Sequence, residues 1–173
     1  MNEPEIVDIY DENKCKTGKT LIRHKEFLKD GEYILACQAI ILNSKRQILV
    51  SQRSEFKEKF PLMWECNGGA VLTGETSLDG VVREIQEELG ISLKKEDGIY
   101  IKTAQNNFRF KDIYLFVKDI EIKDIKFTDK EAIAAKWISI EEFAKMLKNG
   151  EFVPTLEFDE EDYKKCLEMY FVI

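Results

Sequence analysis

The sequence predicts an α/β fold, with a central mixed β-sheet and helices on both sides of it. Two segments lead to this prediction. Residues 33–42 are almost continuously apolar, which is typical of a strand buried on both faces. Residues 76–89 place apolar side chains at helical spacing, which indicates an amphipathic helix. The further strands and helices mix without strict alternation, and this favours a mixed sheet covered by helices.

The other elements follow from local patterns. The first thirty residues are polar and are expected to pack on the main body as an extension with an edge strand and a turn at 17–19. Residues 43–46 indicate a turn, so 47–52 should return as the second strand of a hairpin. The later elements are predicted as strands at 99–103, 112–118 and 131–138, with Asn106-Asn107 in the connection between the first two, and as helices opening at Ser139 and Asp159. No repeat or flexible linker divides residues 1–173, so a single domain is predicted.

Composition limits the function. The net charge is −7 and the pI about 5.0, which argues against a nucleic-acid partner, since that requires a basic face. A small phosphorylated substrate remains compatible, because bound cations invert the charge of an acidic site. Four scattered cysteines and one histidine argue against a zinc site and a disulfide framework. Without a leader or an apolar run of ~20 residues, the protein is expected to be soluble, cytoplasmic and independent of membranes.

The chemically informative segment runs from Gly68 through the end of the predicted helix. Glu84, Glu87 and Glu88 stand at i, i+3 and i+4, so they project from neighbouring points of one helix face. Their charges repel unless a cation lies between them, and magnesium prefers such oxygen ligands. The glycines of the preceding loop, Gly68, Gly69 and Gly74, allow close approach of the backbone and positive φ angles. Glu75, at the start of the helix, could pair with Arg83.

A run of helical glutamates alone is usually a solvated face, but this pattern is much longer. Gly69, five residues, Glu75, seven residues and then Arg83-Glu84-Ile85-Gln86-Glu87-Glu88-Leu89-Gly90-Ile91 match every position of the Nudix box. The chain therefore resembles the Nudix hydrolases. The segments around Phe60-Pro61 and Trp137-Ile138 are also similar to that family.

The resemblance implies an α/β/α sandwich that hydrolyses the diphosphate linkage of a nucleoside diphosphate derivative. Carried over by position, Glu84, Glu87, Glu88 and the Gly68 carbonyl would bind Mg²⁺ or Mn²⁺, with Glu75 and Arg83 in support. Such ions neutralise charge on the pyrophosphate and activate a water for in-line attack. The general base is either Glu84, within the box, or Glu131, outside it. Glu131 could equally be an exposed loop charge.

Basic residues that could bind the diphosphate lie outside the box. Arg53 and Lys57 follow the second strand of the hairpin, and Arg23 is a further candidate. Each of these residues could instead be an ordinary surface charge. The resemblance also allows a homodimer, although no sequence feature indicates an interface, and it leaves the attached group of the substrate open.

Two other functions remain as alternatives. Residues 5–12 and 52–57 resemble the Nudix branch related to isopentenyl-diphosphate isomerase, which would imply double-bond isomerisation. That enzyme needs several histidines and a reactive cysteine. This chain has Tyr33-Ile34-Leu35 and Ala70 where histidines are expected, and Cys66 is wrongly spaced from the box. The intact box thus favours hydrolysis. A non-catalytic nucleotide sensor would usually have lost a box glutamate, and none is lost here.

Overall fold

The computed structural model describes residues 4–127 and 131–171, and element bounds refer to these ranges. The strands are β1 Ile6–Tyr10, β2 Lys16–Ile22, β3 Ile34–Leu42, β4 Ile48–Arg53, β5 Trp64–Glu65, β6 Gly68–Ala70, β7 Ile99–Asn106, β8 Arg109–Val117 and β9 Ala132–Ile138. The α-helices are α1 Ser77–Leu89, α2 Ile140–Lys148 and α3 Glu160–Tyr170. Short 3-10 turns occur at Lys95–Asp97 and Ile122–Asp124.

The central sheet is mixed, as predicted. Its strand order is β5-β4-β3-β8-β7, with β6 beside β3 and β9 beside β4. The long pair at its centre is parallel and runs from Ile34↔Arg109 to Leu42↔Val117, whereas β4 pairs antiparallel with both β5 and β9. The buried apolar run that predicted β3 is explained by its central position, because helices cover both of its faces.

Helices cover both faces of the sheet and give the predicted α/β/α sandwich. Alternate residues of β3 face opposite sides: Cys37 and Ile41 belong to the core beneath α1, while Ile40 and Leu42 belong to the core beneath α2 and α3. The second core is closed by the aromatic rings of α2, α3 and their flanking loops, among them Phe143, Phe152, Phe158 and Tyr163.

Helix α1 begins and ends at the predicted residues. Thr76 is the N-cap, and its hydroxyl accepts from the Asp79 amide at 3.1 Å while the Asp79 carboxylate accepts from the Thr76 amide at 2.9 Å. Gly90 ends the helix at φ +66°. Val81, Ile85 and Leu89 are fully buried. These contacts fix the adjacent, glutamate-bearing face of α1 relative to the sheet.

The amino-terminal segment differs from the prediction. It forms a separate two-stranded sheet of β1 and β2, and Thr17-Gly18-Lys19 lies inside β2 rather than in a turn. The actual turn is at 11–15, where the Asp11 carboxylate accepts from the amides of Asn13 and Cys15, each at 2.9 Å. Gly18 adopts a φ of +80° within this strand. The hairpin packs on the main body through an apolar cluster of Val7, Ile9, Leu21 and Ala70.

Strands β7 and β8 are longer than predicted. β7 continues to Asn106 and β8 already begins at Arg109, so only two residues connect them. The charged and polar side chains of this stretch interrupt the apolar pattern on which the prediction depended. Cross-strand pairing from Gln105↔Phe110 to Asn106↔Arg109 nevertheless satisfies the backbone. As a result, Arg109 and Lys111 lie in the sheet.

Candidate active site

The site lies where the central sheet opens. β3 and β4 share only the register pair Leu42↔Ile48. Beyond that pair the strands diverge, so β6 lies beside β3 and β5 lies beside β4. The short link between β5 and β6 therefore crosses the opening, and the glutamate-bearing face of α1 lies against it. An opening of this kind exposes backbone and side chains from several elements to one ligand.

Two of the three box glutamates are buried in this opening. Glu84 and Glu88 are each 8% exposed, whereas the Glu87 side chain is 56% exposed. Carboxylates are seldom buried to this degree without a charged partner. The helix thus presents two inward carboxylates one turn apart and a third at the rim.

The paired glycines of β6 make room for the backbone and for Glu84. A Cβ on Gly69 would lie 2.2 Å from Oε1 and 2.3 Å from Cδ of Glu84. A Cβ on Gly68 would lie 2.1 Å from the Cys37 carbonyl oxygen, because β6 and β3 approach closely. Neither residue has a positive φ. Only Gly74 in this loop does, at +90°, so the prediction of positive φ holds for Gly74 and was wrong for the other two.

Arg83 ties the loop to the helix, as the sequence indicated. Its guanidinium holds Glu75 at two points, Nε to Oε1 at 2.7 Å and Nη2 to Oε2 at 3.0 Å, and Nη2 also donates to the Ala70 carbonyl at 2.9 Å. Nη1 donates to Glu84 and Glu87, each at 3.0 Å. Partial burial opposes ionisation of Glu75, but its hydrogen bonds hold the pKa below the ordinary value. Arg83 therefore links the loop, Glu84 and Glu87.

Unlike Glu84, Glu88 has no ion-pair partner within the described part of the chain. Its Oε2 accepts from the Asn67 amide at 2.8 Å. Burial raises the pKa of Glu88 well above its ordinary value; the Asn67 bond opposes this, and the charges of Glu84, Glu65 and Glu131 raise the pKa further. Burial also raises the pKa of Glu84, although Arg83 opposes that effect. Excess negative charge is thus concentrated between α1 and the β5–β6 link.

Comparisons with known proteins assign the family. Residues 32–156 match the sequence profile of the NUDIX domain, and these residues contain the whole box and the opening of the sheet. The chain belongs to the Nudix family. It is 35% identical, over 149 residues, to an uncharacterized Nudix hydrolase of Listeria monocytogenes, a match that covers 85% of this chain and 87% of that protein.

Solved structures show the same fold. A crystal structure of a Deinococcus radiodurans protein aligns with a TM-score of 0.75 and 22% identity, covering 94% of this chain and 99% of that one. A bifunctional NMN adenylyltransferase/ADP-ribose pyrophosphatase of Francisella tularensis, complexed with AMP and a manganese ion, aligns at 0.58 and 21% identity, covering 79% and 41%. Together, family and fold identify this Nudix protein as a hydrolase that acts on pyrophosphate bonds.

Residues predicted outside the box also reach the opening of the Nudix fold. The Lys57 ammonium forms an ion pair with Glu131, whose carbonyl accepts from the Ser54 amide at 2.8 Å. Arg53 binds Glu65 at 2.8 Å and the carbonyl oxygens of residues 59 and 60. The two basic side chains thus lie beside the acidic site, where they hold the loop after β4. Arg23 forms an ion pair with Glu5 at 2.6 Å, and its charge opposes the rise that burial causes in the Glu84 pKa.

Two site residues, Glu65 and Asn67, were missed by sequence reasoning. They alternate with buried Cys66 across the opening. The Glu65 carboxylate accepts a hydrogen bond from Arg53. Burial raises the pKa of Glu65, although the pairing with Arg53 opposes this rise. Asn67 orients Glu88. The only signal in the sequence is two polar residues just before the paired glycines.

The donor set fits a hard divalent cation. Carboxylate oxygens are the ligands that magnesium and manganese prefer, and a cation would compensate the buried charge on Glu84 and Glu88. Within the described ranges, no three acidic, histidine or cysteine side chains already converge on one point. The carboxylates of Glu84 and Glu87 instead accept hydrogen bonds from Arg83, and that of Glu88 accepts one from Asn67. Side-chain rotation would therefore accompany ion binding.

All four cysteines are free; Cys15 is exposed and the other three are buried. Burial raises the pKa of Cys66 far above the ordinary value. None of the described helices has both the length and the apolar character needed to cross a membrane.

Proposed function

We propose that this Nudix hydrolase cleaves the diphosphate linkage of a nucleoside diphosphate derivative with the help of Mg²⁺ or Mn²⁺. The proposed ligands are Glu84, Glu87, Glu88 and the Gly68 carbonyl. The observation that supports this most directly is the burial of Glu84 and Glu88 in an excess of negative charge. The manganese ion in the Francisella fold neighbour is consistent with the same chemistry.

The residues of this chain have separate roles in the proposal. When bound, the cations would neutralise pyrophosphate oxygens and lower the pKa of the attacking water. Arg83 and Glu75 hold the loop 70–75 against α1, and so fix the distance between the Gly68 carbonyl and the carboxylates. Asn67 holds Glu88 in one orientation. Such fixed placement is effective because catalysis of phosphoryl transfer depends mainly on position and charge.

Glu131 is the proposed general base. It lies outside the box, next to β9, and its charge acts on Glu88. Lys57 pairs with it and holds it in place. Glu84 is the second candidate. Its carboxylate is buried and confined by the space beside Gly69, which suits a metal ligand better than a group that must exchange protons with water.

The basic residues have a revised role in this proposal. Arg53 and Lys57 are proposed to shape the loop after β4 and to contribute positive potential to the substrate diphosphate. Their ion pairs with Glu65 and Glu131 mean that direct phosphate contact requires those pairs to open. A cytoplasmic location, a homodimer and the lack of nucleic-acid and membrane partners stay predictions from the sequence.

The alternatives predict different products. An isomerase of the related branch would need a reactive cysteine, and Cys66 is a buried thiol with a raised pKa. A sensor would bind nucleotide without turnover. Neither alternative explains three intact box glutamates as well as hydrolysis does.

The test is a product assay on a panel of nucleoside diphosphate derivatives, with magnesium, with manganese and with chelator, and with isopentenyl diphosphate included. Metal-dependent cleavage of any nucleotide is the expected result. The double variant Glu87→Gln/Glu88→Gln should lower kcat at least about a hundredfold, or about 2.7 kcal/mol of barrier. Glu161→Gln is the matched control, because it removes an exposed glutamate from α3.

Each other outcome would point elsewhere. Full activity in the folded double variant would overturn the metal assignment. Isomerised isopentenyl diphosphate without nucleotide cleavage would support the isomerase. Tight nucleotide binding with no turnover across the panel would support the sensor.

A further inference from the structure

A second cluster of basic side chains lies on the sheet face opposite to α1. Arg109 and Lys111 alternate on β8 and face the same side as the core beneath α2 and α3. Lys111 is 7% exposed. The Arg109 Nε and Nη2 atoms are buried and make no hydrogen bond within the described part of the chain. Buried donors of a charged group are costly to leave unbonded.

A single loop carboxylate only partly compensates this charge. The Lys111 ammonium lies 3.2 Å from Oε2 of Glu157 but directs its hydrogen bond to the Thr155 carbonyl. Glu157 Oε2 is itself buried and accepts no hydrogen bond from the described residues, although Oε1 accepts from Asn106 at 3.3 Å. Glu157 also adopts φ +48°, a costly conformation for a residue other than glycine. The loop therefore places a carboxylate here in a strained and incompletely bonded arrangement.

The electrostatics of the cluster agree with its geometry. Burial lowers the pKa of Arg109, and the nearby charge of Arg23 lowers it further, while Glu157 acts in the opposite direction. Burial likewise lowers the pKa of Lys111, and the charge of Arg109 adds to this effect.

The strand register shows how near the cluster is to the box. β3 lies between β6 and β8, with Gln38 paired to Gly68 and Ala36 paired to Lys111. Two strand spacings and a two-residue offset separate Gly68 from Lys111, which amounts to about 12 Å between Cα atoms. Gln38 lies between them; it is 3% exposed, and its Oε1 has no hydrogen-bond partner within the described residues. An extended phosphorylated ligand could span this distance.

We propose that Arg109 and Lys111 form a subsite for a second anionic group of the substrate, beyond the diphosphate that is cleaved. In the structure the Glu157 carboxylate takes the place of that group, and the substrate displaces it together with the loop 154–159. The ligand group that matches this site is a phosphate or a carboxylate, which would accept hydrogen bonds from the Arg109 guanidinium. The location relative to the cleaved bond depends on the proposed function; the anion site itself does not.

The first experiment measures anion binding without any contribution from metal. Inorganic phosphate is titrated calorimetrically into the 173-residue protein in chelator. Glu157→Gln should tighten binding about tenfold, because it removes the competing charge. Adding Arg109→Gln to that variant should abolish the gain. Lys102→Gln is the matched control: it removes a neighbouring lysine on the same face, paired with Asp162 at 2.6 Å, and should leave phosphate affinity unchanged.

Thermal melts establish that each variant is folded. If the double variant does not fold, Arg109→Lys is introduced into Glu157→Gln instead. This change keeps the positive charge but loses the planar guanidinium, so it should weaken phosphate binding about threefold. Equal phosphate affinity in wild type and Glu157→Gln would overturn the subsite. So would affinity that is indifferent to Arg109 in a folded variant. Arg109, Lys111 and Glu157 would then be a purely structural group.

A kinetic experiment identifies the source of the anion. It compares a nucleoside triphosphate, a nucleoside diphosphate sugar with a phosphorylated sugar, and one with a neutral sugar. Arg109→Gln should raise KM about tenfold for the substrate whose extra anion uses the subsite, and leave KM for the neutral sugar unchanged. An equal rise for all three would overturn the placement. If no nucleotide is cleaved, the proposed function fails, while the phosphate titration still decides the anion site.

Discussion

Replacing Gly69 by alanine is expected to displace Glu84 and to reduce both catalysis and stability. The new methyl carbon would lie 2.2 Å from Oε1, 2.3 Å from Cδ and 2.6 Å from Oε2 of Glu84. An ordinary van der Waals contact needs more than 3.4 Å, so the carboxylate must move by roughly 1 Å or more. It cannot move freely, because it is buried and bonded to Arg83 at 3.0 Å.

The size of the effect follows from this displacement. A misplacement of about 1 Å in a catalytic group costs on the order of a hundredfold in rate. Overpacking a buried site costs about 1–3 kcal/mol of folding stability. We therefore expect Gly69→Ala to fold with a lowered Tm and to lose about a hundredfold in kcat/KM on the best panel substrate.

The neighbouring glycines provide matched controls. Gly74→Ala meets no atom within 4 Å but must adopt φ +90°, so it should lose about 1–2 kcal/mol of stability with little direct effect on Glu84. Gly68→Ala meets the Cys37 carbonyl oxygen at 2.1 Å, which is backbone and cannot rotate away, so it should disrupt the β3–β6 pairing. Kinetics and thermal melts are measured on all three. Wild-type kcat/KM in folded Gly69→Ala would refute the role assigned to Glu84.

Three further predictions test single residues. Glu88→Gln should raise the Tm of the protein in chelator, because a buried charge is removed while the bond from Asn67 can persist; an unchanged or lower Tm would contradict this. Glu131→Gln should lower kcat by about 10²–10⁴ if Glu131 is the base, with Mn²⁺ affinity retained, whereas Glu84→Gln should weaken Mn²⁺ binding. Asp79→Ala should destabilise the protein at neutral pH. Hydrogen bonds from Lys95 and Thr76 depress the pKa of this carboxylate, so its contribution to folding stability is present above the ordinary value of 3.8 and is lost as the pH falls through the depressed pKa. Urea unfolding of wild type and variant at pH 7 and pH 2 measures this contribution. An equal loss of stability in the variant at both pH values would refute it.

The box helix could be predicted closely because its determinants are local. A capping threonine, apolar side chains at helical spacing and a glycine at the end lie within fifteen residues. The pairing of Arg83 with Glu75 follows from the same short stretch. The three glutamates could therefore be assigned to one helix face, though the degree of burial of Glu84 and Glu88 depends on strands far away in the sequence.

The residues that sequence reasoning missed depend on non-local pairing. Asn67 and Glu65 reach the site only because β3 and β4 diverge after Leu42↔Ile48, and no local pattern shows such a divergence. Similarly, Arg109 and Lys111 interrupt the apolar alternation expected of a strand, yet nine register pairs with β3 place them in the sheet. The turn expected at 17–19 was wrong because the side chain of Asp11 fixes the turn earlier. In each case tertiary contacts outweigh local propensity.

Manganese binding measured by electron paramagnetic resonance tests the central claim most directly, since it is independent of the substrate. Free Mn²⁺ is titrated into wild type, Glu84→Gln, Glu88→Gln and the control Glu161→Gln, each shown to be folded. The account predicts that wild type and the control bind Mn²⁺ alike, while each box variant binds at least about tenfold more weakly. Equal Mn²⁺ affinity in all four proteins would contradict the proposal that these buried glutamates hold the catalytic metal.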